Sequence, residues 1–239
     1  MNFEQATNYL FSLGAELPSM KLGLETTKKL LAALGNPLDK TLKIQVVGTN
    51  GKGSVCAFLD AIALSANITC GSFTSPHLIS PTERIRINGR NIPEEEFAEL
   101  TELVAKTIDG LLKDGKLSAR PTFFEHITAI GALALERAGV KLAILETGLG
   151  GRLDAVTALN SQIIAFTRIG LDHQQYLGND LISIAREKAA ALHKQCRAVL
   201  GLQVREVKQL LISCCRRLDL EFYDAGEVLI EQASPILSE

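Results

Sequence analysis

A chain of 239 residues is long enough for one large α/β domain or for one domain and part of a second, and 46% hydrophobic against 22% charged residues excludes a disordered protein. Its 25 basic and 27 acidic residues leave a formal charge of -2, no bulk positive field for a nucleic-acid backbone, so no nucleic-acid partner is expected. Cys56, Cys70, Cys196, Cys214 and Cys215 follow neither zinc nor disulfide spacing and read as reduced thiols; with no signal-peptide pattern and no apolar run of membrane length, the expected setting is cytoplasmic, without membrane contact.

Along the chain, Phe3, Ala6, Leu10 and Leu13 stand at helical spacing, as do Leu24, Leu31 and Leu34 before Gly35-Asn36-Pro37. A strand is predicted over 42–47, running into the glycine-rich segment from Gly48. Val55, Phe58, Leu59, Ile62 and Ala63 then recur at i, i+3, i+4, i+7 and i+8, which predicts a helix burying that face. A strand over 68–73 and a hairpin over 84–92 turning at Asn88-Gly89 follow. Pro93 with Glu94, Glu95 and Glu96 opens a helix to Leu112, because proline suits the first turn and carboxylates suit the positive end of the helix dipole. A loop over 114–121 leads to a helix over 123–137. Strands are expected at 142–146, 162–167 and 198–202, with helices at 181–193 and 203–217. The fold class is therefore α/β, a mainly parallel sheet with helices on both faces. The predicted organisation is a helical segment 1–40, a core 41–217 and the start of a connecting region 218–239.

Gly48-Thr49-Asn50-Gly51-Lys52-Gly53-Ser54 joins a strand to a helix with the parts that hold a polyphosphate: glycines, a helix N-terminus, a lysine and a hydroxyl. It departs from the Walker A spacing, since Gly53 separates Lys52 from Ser54. Glu146 ends an apolar strand, where ligands of a parallel sheet gather, and is either a Mg²⁺ ligand or a surface acid on a turn. Taken singly, His173 reads as a structural or surface imidazole and Lys188 as a solvated helix lysine.

The order GTNGKGS, then TSPHL (74–78), ERIRING (83–89), TFFE (122–125), LETGLGGRLDA (145–155), GLDH (170–173) and AREKA (185–189) resembles folylpolyglutamate synthase and dihydrofolate synthase of the Mur ligase superfamily. The resemblance implies a P-loop-type sheet similar to the Mur ligase central domain. It also implies an ATP-dependent ligase that phosphorylates a carboxylate of dihydropteroate or a folate and joins it to L-glutamate. Under it, Gly48 to Ser54 would hold ATP, Lys52 would offset charge on the transferring phosphate, and Lys52, Glu146, His173 and Lys188 would form the catalytic set. Ser54, Ser75 and Glu146 would hold one Mg²⁺, Glu146 and His173 a second, with Lys188 supporting the metals if carbamylated. Gly23, Leu24, Glu25, Thr26, Thr122, Phe123, Phe124, Glu125, Leu153, Asp154 and Ala155 would line the pterin side, in a protein expected to be a monomer.

Three positions depart from the family's pattern: Thr26 replaces the arginine of G-L-E-R, and Val156-Thr157 replaces a threonine-asparagine pair. Members are also longer, so a further glutamate-binding domain is expected to be missing. The competing readings are a remnant that binds nucleotide without ligating, and a general P-loop NTPase.

Overall fold

The computed structural model describes residues 1–14 and 24–226. In chain order the elements are α1 (Phe3–Ser12), α2 (Glu25–Ala33), β1 (Leu42–Val47), α3 (Lys52–Ser65), β2 (Cys70–Phe73), β3 (Ile85–Ile87), β4 (Arg90–Asn91), α4 (Glu94–Lys113), α5 (Phe123–Arg137), β5 (Leu142–Glu146), β6 (Ile163–Phe166), α6 (Gln174–Leu177), α7 (Leu181–Ala189), β7 (Arg197–Leu200), α8 (Arg205–Arg217) and β8 (Phe222–Asp224). The strands form one eight-stranded sheet in the order β4-β3-β2-β5-β1-β6-β7-β8. It is parallel except at the β2-β3-β4 edge. The mainly parallel α/β sheet expected from the sequence is thus the fold observed.

Alternation along the strands assigns the two faces. On β5, Ile144 joins Val46 and Cys56 in a small core beneath α3. Ala143 and Leu145 join the large core built with α1, α2, α4 and α5. On the same face, Val47, Ile164, Phe166, Ala198 and Leu200 pack with side chains of α7 and α8. Helices therefore cover both faces unequally: among the described helices, α3 stands alone on one of them. The arrangement follows from handedness, because a right-handed crossover moving one way along the sheet puts its helix on the face opposite to one moving the other way. Only the β1-to-β2 crossover runs toward β4.

Most sequence expectations for the elements hold, within a few residues at their ends. The hairpin turns at Asn88 and Gly89, with φ of 49° and 76°, and α4 starts after Pro93 with three glutamates in its first turn. Three things differ. The helix expected at 181–193 stops at Ala189, and Phe222–Asp224, inside the expected connecting region, instead pairs with β7 as a further parallel strand. The buried face of α3 is also rotated: Cys56, Asp60 and Ala63 are buried, while Phe58 and Ile62 are 68% and 65% exposed. Asp60 turns inward because its carboxylate accepts the Cys70 thiol at 3.0 Å, a polar tie that apolar periodicity cannot register. All five cysteines are free thiols, and no described helix is long and apolar enough to cross a membrane.

Urea unfolding of two phenylalanine variants checks the rotation of α3. Phe97 is fully buried, and Phe97→Ala should cost about 3–5 kcal/mol. Phe58→Ser should stay within about 0.5 kcal/mol, as befits a surface position; a loss as large as that at Phe97 would restore the face expected from periodicity.

Candidate active site

β1 and β5 are neighbours, so the carboxyl ends of these parallel strands place the Gly48 loop and Glu146 side by side. The loop is shorter than its sequence motif: α3 begins at Lys52, capped by Gly51 at φ 82° with no side-chain cap. The first-turn N–H groups of a helix have no intrahelical partner and, with the helix dipole, favour an anion. Thr49 and Asn50 play a different part. Both backbone N–H groups donate to Arg168 O, at 3.0 and 3.2 Å, and Thr49 Oγ1 bonds both the N–H and the carbonyl of Gly170 at 3.1 Å. The loop is thereby anchored to the segment after β6.

Charged groups converge on this point. Lys52 Nζ donates to Thr49 O at 3.3 Å. Lys188, 3% exposed on α7, reaches across to donate to Gly48 O at 2.7 Å. Burial and the neighbouring Lys52 lower its pKa to about 8, against the opposing pull of Asp172 and Asp154. The lysine expected from its local sequence to be solvated is therefore buried at the loop, because α7 packs its Ile184-Ala185-Ala189 face into the β6-β7 core and carries Lys188 inward.

Glu146 is 6% exposed. Its Oε2 accepts Ser75 N–H at 3.1 Å, and a Cβ on Gly53 would lie 3.8 Å from the same oxygen. Burial raises its pKa, countered by the Ser75 N–H, Lys52 and Arg84. Among the described residues no three His, Cys, Asp or Glu side chains cluster as a metal site. The set present nonetheless fits Mg²⁺, which takes few protein ligands and completes its shell with water and phosphate oxygens. His173 caps α6 at φ 45°, with its Nε2 3.5 Å from Asp172 Oδ2, in the segment that follows β6.

Of the residues expected on the pterin side, those at the start of α5 meet the loop after β5. Phe124 lies against Gly148, where an added Cβ would stand 2.5 Å from its Cζ, so the start of α5 abuts the loop after β5. Phe11 stacks on Phe123 at 6.1 Å, and Arg84 lies 5.3 Å from the Phe123 ring centroid. Gly23 falls outside the described residues; Leu24 precedes α2, Thr26 is half-buried, and Glu25 is exposed beside Lys28 at 3.7 Å. Two expected carboxylates are engaged by the fold. Glu125 accepts Thr122 N–H at 2.7 Å in a capping box and Thr27 Oγ1–H at 2.9 Å, tying α2 to α5. Asp154, 3% exposed between half-buried Leu153 and buried Ala155, accepts Leu149 N–H at 2.8 Å and Val156 N–H at 3.0 Å. Its burial pushes its pKa up to about 6.

Sequence reasoning assigned no role to Arg84, which is 2% exposed and donates to His77 Nδ1 at 2.7 Å. It stood in the ERIRING motif, but nothing in its local pattern signals that the chain brings it between Phe123 and Glu146.

Behind this wall, fully buried His126 bonds Thr122 O through Nδ1 at 2.8 Å, leaving Nε2 to accept from Tyr9 O–H at 3.1 Å. Desolvation lowers its pKa to about 4. Below the ordinary histidine value of 6.5 the unfolded chain takes up a proton that the folded chain refuses, so this residue's contribution to stability is full near pH 7 and falls as pH drops toward 4. Relative to His126→Gln, the wild type should lose about 3 kcal/mol between pH 7 and pH 4 in urea unfolding. Parallel pH dependences of the two proteins would refute this.

No family model matches the chain. It is 39% identical over 197 residues to a probable dihydrofolate synthetase of Schizosaccharomyces pombe, covering 81% of this chain and 46% of that protein. It is 36% identical over 220 residues to dihydrofolate synthase/folylpolyglutamate synthase of Bacillus subtilis, covering 90% and 51%. The solved structure of Mycobacterium tuberculosis folylpolyglutamate synthase complexed with ADP and AMPPCP superposes with a TM-score of 0.84 at 31% identity, covering 93% of this chain and 49% of that one. The chain spans about half the length of these relatives.

Proposed function

We propose that this chain, a homologue of the dihydrofolate synthases and folylpolyglutamate synthases, carries the nucleotide and pterin sides of an ATP-dependent ligase. The ligase joins L-glutamate to dihydropteroate or a folate. The observation that supports this most directly is the convergence of Lys52, Lys188 and Glu146 at the uncapped N-terminus of α3. The reaction has two steps. A carboxylate oxygen of the pterin-linked substrate attacks the γ-phosphorus of ATP and ADP leaves; the glutamate amine then attacks the acyl carbon and phosphate leaves, forming the amide.

The obstacle in the first step is like-charge repulsion between a carboxylate and a polyphosphate. The first turn of α3, with Gly51, Gly53 and Ser54, cradles the phosphates, and Lys52 offsets charge on the one being transferred. Ser54, Ser75 and Glu146 would hold a Mg²⁺ ion and His173 would serve a second; the ions supply charge neutralisation and in-line alignment when bound. Lys188, with its lowered pKa, is suited to react as the free amine with CO₂ and become the anionic carbamate expected from the resemblance. Phe123 and Phe124 offer the aromatic wall of the pterin side, backed by Arg84. Glutamate is assigned to no residue of this chain. The five free thiols accord with a cytoplasmic setting.

Calorimetric titration of the chain with Mg²⁺ and a non-hydrolysable ATP analogue tests the reading. The wild type should bind, and Lys52→Met should weaken binding about 10- to 100-fold, the scale of a charge-assisted hydrogen bond. Absence of binding, or equal affinity in the two proteins, would sink the proposal.

A further inference from the structure

Gly148 to Arg152 form a floor between the two sides of the site, and the role assigned to this floor rests on the proposed ligase function. The floor makes two close approaches. At its start Gly148 admits the Phe124 ring; at its end a Cβ on Gly151 would stand 2.6 Å from the backbone oxygen of Lys188. One short loop thus touches both the aromatic wall and the buried lysine. Arg152 N–H donates to Glu187 O at 3.1 Å, and the Arg152 guanidinium pairs with the Glu187 carboxylate at 3.0 Å, fastening the loop to the end of α7.

Polar tethers hold the loop from beneath. Both oxygens of Asp154 are taken by N–H groups of Leu149 and Val156. Thr157 Oγ1 donates to Gly151 O at 2.8 Å and accepts from Gln45 Nε2 at 2.9 Å, while the same nitrogen donates to Thr147 Oγ1 at 3.0 Å. Gln45 lies in the centre of β1, 1% exposed, with its Oε1 buried and lacking a hydrogen-bond partner among the described residues. An unpaired buried acceptor is destabilising, a penalty that an apolar residue in this strand would avoid, and it is set against the two bonds that the nitrogen makes to Thr147 and Thr157, which flank the loop. Thr157, one of the three positions that depart from the family's pattern, is therefore a working part of this support.

We infer that Asp154 is a positioning residue: with Thr157 and Gln45 it holds Gly148 to Arg152 rigid, fixing Phe124 on the pterin side and Lys188 on the nucleotide side, and does not offer its carboxylate to the pterin. A direct ligand would present an accessible oxygen to one substrate. A floor shared by two walls affects both.

The test compares wild type, Asp154→Asn and Thr157→Val. Asp154→Asn keeps the side chain's size but sets an amide donor against an N–H that the carboxylate now serves; Thr157→Val removes the second tether and carries the same test if Asp154→Asn does not fold. Affinities for the Mg²⁺-loaded ATP analogue and for dihydropteroate are measured separately, with hydrogen exchange of the unliganded chain across 148–152 and 48–51. Both variants should weaken both ligands about tenfold, the scale on which small misplacements act, and should speed exchange in both segments. Loss of dihydropteroate affinity alone, with exchange unchanged at 48–51, would overturn the inference and make Asp154 a direct ligand. If the wild type binds neither ligand, the ligase function fails separately: exchange spreading from 148–152 to 48–51 would still uphold the shared floor, and exchange confined to 148–152 would overturn it.

Discussion

The side-chain nitrogen of Lys188 held against the carbonyl of Gly48 is the contact on which the site depends. Burying a polar nitrogen is costly unless an acceptor receives it, and this one is received by the first residue of the Gly48 loop. The bond joins α7, which belongs to the core over β6 and β7, to the end of β1, where that core meets the one under α5. Displacing Lys188 would release the loop's carbonyl and the packing of α7 together. The geometry of the loop is for this reason a property of the whole sheet, and the Thr49 and Asn50 bonds to Arg168 and Gly170 reinforce the same seam.

The charge pattern follows from where the strands end. Lys52 enters on the helix after β1, Glu146 on β5, Asp172 and His173 after β6, and Arg84 from the turn before β3. A parallel sheet delivers three of these contributions to one edge without any long-range design beyond strand order. Arg84 arrives from the antiparallel edge instead, and its effect on Glu146 shows that the antiparallel edge also contributes to the site.

Much of this was legible in the sequence. Apolar strands with glycine-rich exits predicted the parallel sheet and put Gly48 and Glu146 on one edge, since both readings need only local pattern and a general rule of α/β topology. Lys188 was not legible from its own segment, because its neighbours read as a solvated helix and only the resemblance singled it out. The face of α3 was misplaced because Asp60 is turned inward to the Cys70 thiol on β2 beneath the helix, while Phe58 and Ile62 face outward. β8 escaped because three residues pairing at a sheet edge leave no periodic signal. Glu125 and Asp154 stood in the right motifs, yet what a carboxylate does depends on which N–H groups surround it, and those come from turns whose geometry no spacing rule reveals.

That fate of the carboxylates has a physical logic. Under the proposed function, a site that brings a substrate carboxylate to a polyphosphate is served by keeping nearby acidic side chains compensated. Glu125 gives its oxygens to Thr122 and Thr27, Asp154 gives its own to Leu149 and Val156, and Glu83, at the neighbouring turn, accepts the N–H groups of Leu78, Ile79 and Ser80. Each negative charge is spread into hydrogen-bond donors, backbone N–H groups throughout except for the Thr27 hydroxyl, and used to hold a turn or a helix pair in place. Glu146 differs: among the described contacts it takes a backbone donor on one oxygen, from Ser75, and faces Lys52 and Arg84. A buried carboxylate so placed is raised in pKa and attracts a cation, which sets this acid apart beside the Gly48 loop and accords with the metal role proposed for it.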